Sequence, residues 1–169
     1  MELINTVSSY LNKAGMDTRE YEVKMSKEPW SYEFYSEGPK GRIRKIIQFL
    51  PFNFEGRACF NLFLGDWNEE KKLFDDFITT NNQDSLKVLI TVAKTVLKFT
   101  NSLPNALVHI KGSTPSRTRL YQIGITNNWI EISQRFSVFG YTTDNQWQLF
   151  LKNVNYNAFM VYRKKIVYL

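Results

Sequence analysis

The sequence predicts an α+β fold: a mainly antiparallel sheet with one long packed helix and a second helical region, in a single domain. Three observations predict it. Strand-like hairpins come first, helices follow, and strands return at the end, without strict βαβα alternation. Aromatic residues make up 15% of the chain (13 Phe, 9 Tyr, 4 Trp), a density that favours strands and sheet-on-helix cores. The length, 169 residues with 43% hydrophobic and 22% charged content, suits one soluble domain with a real core.

The elements follow in order. Residues 1–15 predict an N-terminal amphipathic helix: Leu3, Val7, Leu11 and Ala14 share a stripe and Gly15 stops it. Residues 16–169 form the α+β domain. Residues 21–25 and Tyr32-Glu33-Phe34-Tyr35 are strand-like, and Gly38-Pro39-Lys40-Gly41 is a turn. Residues 42–50 form a strand that opens on Arg42, Arg44 and Lys45. Residues 58–64 are a Phe- and Leu-rich strand, turned by Gly65-Asp66-Trp67-Asn68 and returning over residues 73–79. Asn82 or Asp84 caps the longest helix, residues 85–100, whose apolar face is Leu86, Leu89, Ile90, Ala93, Val96 and Leu97, with Lys87, Thr91, Lys94 and Lys98 opposite. Residues 106–110 are a buried strand. A helix then starts at Pro115 behind Thr114 as N-cap and closes at Gly124, and Thr126 caps a further helical stretch with Trp129, Ile132 and Phe136. Strands are expected over residues 137–142, 147–151 and 158–162.

Several function classes are excluded or disfavoured. A single cysteine, Cys59, rules out an internal disulfide and a multi-cysteine metal site, and its apolar surroundings suit a small buried hydrophobe. Ser8, Ser9, Asn12 and Lys13 interrupt any signal-peptide core, and no apolar run approaches the ~20 residues that span a bilayer, so a cytoplasmic setting without membrane partners is expected. The net charge of +6 makes an acidic partner such as nucleic acid more plausible.

The sharpest chemical signal is the junction Lys111-Gly112-Ser113-Thr114-Pro115-Ser116-Arg117-Thr118-Arg119-Leu120-Tyr121. A helix start carries unpartnered N–H groups and partial positive charge, and an acid usually fills it. Here Lys111, Ser113, Thr114, Ser116, Arg117, Arg119 and Tyr121 stand there instead, as they would around a phosphate or carboxylate. The alternative is structural: Ser113 and Thr114 cap the helix and the arginines pair with carboxylates. The segment has neither the spacing of a nucleotide P-loop nor that of a dinucleotide site. His109, the only histidine, shares a strand face with Leu107 and Lys111 and is the candidate general base, against the alternative of a hydrogen-bonded structural residue. Asp66, Asp75, Asp76 and Asp84 could hold Mg²⁺, but Asp75 and Asp76, adjacent in a strand, point to opposite faces and cannot easily serve one ion, and turn and capping roles suit Asp66 and Asp84 better. No metal site or cofactor is expected. Arg42, Arg44 and Lys45 would form a nucleic-acid face if gathered with Lys87, Lys94, Lys98, the arginines of the junction, Arg163, Lys164 and Lys165, with Trp30, Tyr32 or Tyr35 exposed among them.

Five stretches also resemble a small bacterial family of uncharacterised proteins of about this length. They are Tyr32-Glu33-Phe34 with Ser36-Glu37-Gly38-Pro39-Lys40-Gly41; Leu64-Gly65-Asp66; Asp75-Asp76 with Thr80-Asn81-Asn82 and Lys87-Val88-Leu89; Lys111-Gly112-Ser113-Thr114 with residues 116–122; and Asn155-Tyr156-Asn157-Ala158-Phe159. They span residues 21–164, leaving the N-terminal helix outside. The resemblance implies no activity, so the functional expectations come from the residues. The first is a non-enzymatic module for nucleic acid or another phosphate-bearing ligand. The alternatives are a small ribonuclease-like hydrolase or toxin of a two-gene module, and a protein–protein interaction domain, with the N-terminal helix as a contact that would also make a homo-oligomer.

Overall fold

The computed structural model describes residues 20–76 and 80–165. The helix expected over residues 1–15, the far end of the hairpin at residues 77–79 and the apolar residues 166–169 lie outside the described residues. The described chain is α+β, with a mostly antiparallel nine-stranded sheet and three helices. In order they are β1 (Lys24–Met25), β2 (Ser31–Gly38), β3 (Gly41–Phe54), β4 (Arg57–Asn68), β5 (Leu73–Asp75), α1 (Ser85–Ser102), β6 (Leu107–Ile110), α2 (Pro115–Asn127), α3 (Trp129–Arg135), β7 (Phe136–Thr142), β8 (Trp147–Leu149) and β9 (Tyr156–Arg163).

The sheet runs β1-β2-β3-β4-β6-β9-β7-β8, and β5 pairs with the end of β4. Only β4 and β6 are parallel, because α1 carries the chain back between them. The long hairpin β3–β4 turns at Glu55 and Gly56, both at positive φ, where Asn53 accepts from the Gly56 amide. The β2–β3 turn is held from outside. Buried Asn82 accepts from Lys40 N at 2.8 Å and donates to Gly41 O and Ser36 Oγ, each at 3.0 Å. A Cβ on Gly38 would sit 2.0 Å from Asn82 O, so only glycine admits this approach.

Cross-strand partners share a face, which divides the sheet's residues cleanly. The helix-side face carries Tyr32, Phe34, Ile47, Phe49, Phe60, Leu62, Val108, Ile110, Phe159 and Val161. Against it α1 buries Val88, Val92, Val96 and Phe99, and Phe99 stacks on Phe49 with centroids 4.0 Å apart. Each such side chain contributes on the order of 1.5–3 kcal/mol.

Several expectations are corrected. Of the expected face of α1 (Leu86, Leu89, Ile90, Ala93, Val96 and Leu97) only Val96 is fully buried; the buried stripe is rotated from it and includes Val88, Thr91, Val92, Thr95, Phe99 and Thr100. Threonine suits the core here because each hydroxyl donates to a carbonyl one turn back (Lys87, Thr91 and Val96, all 2.8 Å), leaving its methyl to pack. Neither Asn82 nor Asp84 caps α1 through its side chain. Asp84 occupies the cap position, but its carboxylate accepts from Tyr21 OH (2.8 Å) and Ser36 Oγ (2.6 Å). Helix α2 passes through Gly124 to Asn127, since Gly124 faces Leu89 of α1 and its carbonyl accepts from Asn128; the break to α3 falls at Asn128 and not at Thr126. Strand β4 does not turn at Gly65 but continues to Asn68. Asp66 is a buried strand residue, ion-paired at 2.5 Å with Lys45 and accepting from Thr80.

Candidate functional site

The junction between β6 and α2 forms as expected up to its cap. Thr114 Oγ1 accepts from the Arg117 amide at 3.2 Å, Pro115 opens the helix, and Gly112 N donates to Thr118 Oγ1 at 3.0 Å. Gly112 lies so close to the first turn that a Cβ would come within 2.4 Å of Thr118 N.

The guanidinium groups do not converge there. Arg117 folds back and donates to Leu64 O (2.9 Å), to Asp76 O and to Ser113 Oγ (3.0 Å), while Ser113 Oγ donates to Asp76 O. The reason lies in the sheet. On one edge of β4, β6 pairs with residues 59–62 and β5 with residues 66–68. Between them the carbonyl of Leu64 has no described strand beside it, and Arg117 fills the gap. Arg119 points elsewhere, toward Asn155 Oδ1 at 3.5 Å. Tyr121 is in the core, where burial pushes its phenol up to about 12 despite the nearby Arg117 charge. Lys111 and Ser116 remain exposed. Lys111, Ser113 and Arg117 do line one cleft, together with Asn61, Phe63 and His109.

The three basic residues of β3 divide. Lys45 is 7% exposed, on the helix side, ion-paired with Asp66. Arg42 and Arg44, one residue off that parity, lie on the other face. Arg42 covers the Tyr35 ring at 4.0 Å; Arg44 donates to Glu33 Oε2 at 3.0 Å and sits 5.2 Å from the Trp67 ring. The expected exposed aromatics also divide. Tyr32 is buried, Trp30 packs edge-on against Phe60, and only Tyr35 shares the face of Arg42 and Arg44.

That second face of the sheet is where the chemistry collects. One row crosses six strands: Leu50, Asn61, His109, Met160, Phe139 and Leu149 are successive partners. Beside it runs Phe52, Cys59, Leu107 and Tyr162. Trp147 pairs with Tyr141 at the sheet's end. No described helix covers this face, since α1 and α2 pack on the other. Its rings are in contact: His109 lies edge-on between Phe52 (6.1 Å) and Trp147 (6.2 Å), Tyr141 is 5.0 Å from Trp147, and Phe139 stacks on Tyr162. Trp147 is 36% exposed and Tyr162 38%. His109 Nδ1 lies 2.7 Å from Asn61 Oδ1, and since an amide oxygen only accepts, Nδ1 carries the proton. Burial, with the Lys111 charge adding to it, pushes the imidazole below its usual range and keeps it neutral. Arg57, on the same parity as Cys59 and Asn61, marks one end of the face, and Lys111 extends the other.

A family model, described as a family of unknown function, matches residues 17–164. The chain belongs to that family, DUF6934. No curated protein and no solved structure matches it. Family membership therefore names no chemistry for the DUF6934 face, and its residues supply what there is. Sequence reasoning picked out His109, Lys111, Arg42 and Arg44 but missed Phe52, Asn61, Phe139, Tyr141, Trp147 and Tyr162. Alternation within β3, β6 and β7 separated the two faces; nothing local marked which face the helices would cover.

Proposed function

We propose that this chain is a binding module for single-stranded nucleic acid, taken on the uncovered face of the sheet. The supporting observation is the continuous aromatic surface Phe52–His109–Trp147–Tyr141, with Tyr162 and Phe139 beside it, outside the core. Flat rings on an open sheet offer stacking platforms that a splayed single strand can use and a closed duplex cannot, at about 1–3 kcal/mol per stacked base. Lys111 and Arg57 stand at the two ends of the ring rows to neutralise backbone phosphates, in keeping with the net charge of +6, whereas Arg42 and Arg44 lie farther along β3 and are paired with Glu37 and Glu33. The helix N-terminus serves as scaffold and Lys111 as the phosphate contact of the junction.

Fluorescence anisotropy with labelled 12-mer oligonucleotides, single-stranded and duplex, across a salt series tests this. Binding of single strands that strengthens as salt falls, and that Trp147→Ala weakens, is the expected result. No binding at low salt, where counterion release favours it most, overturns the proposal.

A second reading, cleavage of a bound RNA strand, is favoured by the Asn61–His109 contact, which fixes the tautomer that leaves Nε2 as a proton acceptor beside Lys111. Labelled RNA left intact by the folded protein removes this reading, as does cleavage unchanged in His109→Ala.

A further inference from the structure

We infer that residues 1–14 of this chain seat their apolar stripe in the groove that α1, α2 and α3 leave open on the helix layer. The groove is walled by Leu89, Ala93 and Leu97 of α1, by Gly124 of α2 and by Ile132 of α3, over a floor that includes Val96. It exists because α1 is apolar on two flanks. One flank, with Val88, Val92 and Phe99, is spent on the sheet, and the flank of Leu89, Ile90, Ala93 and Leu97 is only partly covered by the described residues. A helix with two apolar flanks needs a second partner.

The chain itself delivers one to this place. The described residues begin on α1: Glu20 Oε1 lies 2.6 Å from Lys94 Nζ, and the Tyr21 amide donates to Thr91 Oγ1 at 3.0 Å. Lys94 also borders the groove. From Ala14 to Glu20 is six residues, a reach of up to about 20 Å, ample to cross the α1 ridge. The dimensions agree. Leu3 and Leu11 are eight residues apart, about 12 Å along a helix, and so are Leu89 and Leu97 on the wall that would receive them. Ala93, midway along that wall and exposed, gives a second helix room to approach to about 8–10 Å. The groove is on the opposite side of the sheet from the proposed nucleic-acid face, so either proposal can fail without the other.

Cysteine cross-linking of the full chain tests the seating. The native Cys59 is buried and stays out of the reaction. In Leu11→Cys/Ala93→Cys, mild oxidation is expected to form a disulfide within one chain, seen as a faster monomer band with loss of two thiols. The control Leu11→Cys/Thr143→Cys, at the β7–β8 turn, is expected to stay reduced. Adding Val7→Asp, which puts a charge into the apolar stripe, is expected to slow the first cross-link several-fold. No cross-link to position 93, equal cross-linking of both pairs, or indifference to Val7→Asp overturns the inference. A cross-link found only between two chains also overturns it and assigns the groove to a second copy.

Discussion

Replacing Arg117 by alanine separates a structural guanidinium from a ligand-binding one. Arg117 donates to the carbonyls of Leu64 and Asp76 and to Ser113 Oγ, at the gap in the β4 edge between β6 and β5. Hydrogen bonds from a charged donor are worth about 1.5–3 kcal/mol each, but the site is half-buried and water can take over part of the loss. A net cost of about 2–4 kcal/mol follows, or roughly 5–15 °C in melting temperature for a domain of this size. Arg117→Lys keeps the charge but loses the fork that reaches two carbonyls at once, so about half the loss is expected. Urea unfolding at neutral pH gives the stability, and oligonucleotide anisotropy on the same folded samples gives the affinity. The expected result is a large fall in the urea midpoint with affinity changed less than about threefold, the reverse of what Lys111→Ala should give. If Arg117→Ala unfolds at the wild-type urea concentration and loses its affinity, the guanidinium is a ligand contact and the gap-filling argument is wrong.

Trp147→Ala should lower the affinity for single strands by about 1–3 kcal/mol while leaving the melting temperature within about 2 °C, because the ring lies at the end of the open face. Lys45→Met strips the partner from the buried Asp66 carboxylate and should cost about 3–5 kcal/mol by denaturant titration, whereas Lys45→Met with Asp66→Leu should recover much of it. The lowered proton affinity of His109 makes part of the stability pH-dependent: its contribution is full above about pH 6.5 and is lost as pH falls through the folded-state value, where the unfolded chain takes the proton first. Urea midpoints measured from neutral to mildly acidic pH should fall less in His109→Gln than in the wild type, and parallel curves would contradict the assignment. Gly112→Ala forces a Cβ to 2.4 Å from Thr118 N and should destabilise by about 1–3 kcal/mol, read by thermal melting.

What the sequence disclosed depended on how local the cause was. The helix start at Thr114-Pro115 is fixed by its own cap hydrogen bond, and the turn at 38–41 shows in its glycines although distant Asn82 holds it, so both were legible. The buried face of α1 was misjudged because leucine and isoleucine outrank threonine on any apolarity scale. Yet Thr91, Thr95 and Thr100 satisfy their hydroxyls within the helix and pack as hydrophobes. The termination expected at Gly124 failed for a related reason: that glycine is placed by contact with Leu89, a residue distant in sequence. Arg117 was recognised as unusual at a helix start, but its partners, Leu64 and Asp76, come from the strand edge that only the assembled sheet creates.

The division of the aromatic residues is the deepest instance of the same limit. In β4, Phe60 and Leu62 on one parity and Cys59 and Phe63 on the other are equally apolar, so the strand reads as buried on both sides. Chain order then sends α1 and α2 to a single side, where Phe99 stacks on Phe49. The other parity keeps its rings without receiving a described helix. Had that face been meant only for water, alternation would have placed polar residues at Leu50, Phe52, Phe139, Trp147 and Leu149, as antiparallel sheets with one solvated face do. Leu149 is 63% exposed and Trp147 36%, with the neutral His109 between Phe52 and Trp147, so the surface is apolar and carries no described helix. An exposed patch of that kind marks an interaction site, and its flanking Arg57 and Lys111 favour a partner that is both stackable and negatively charged.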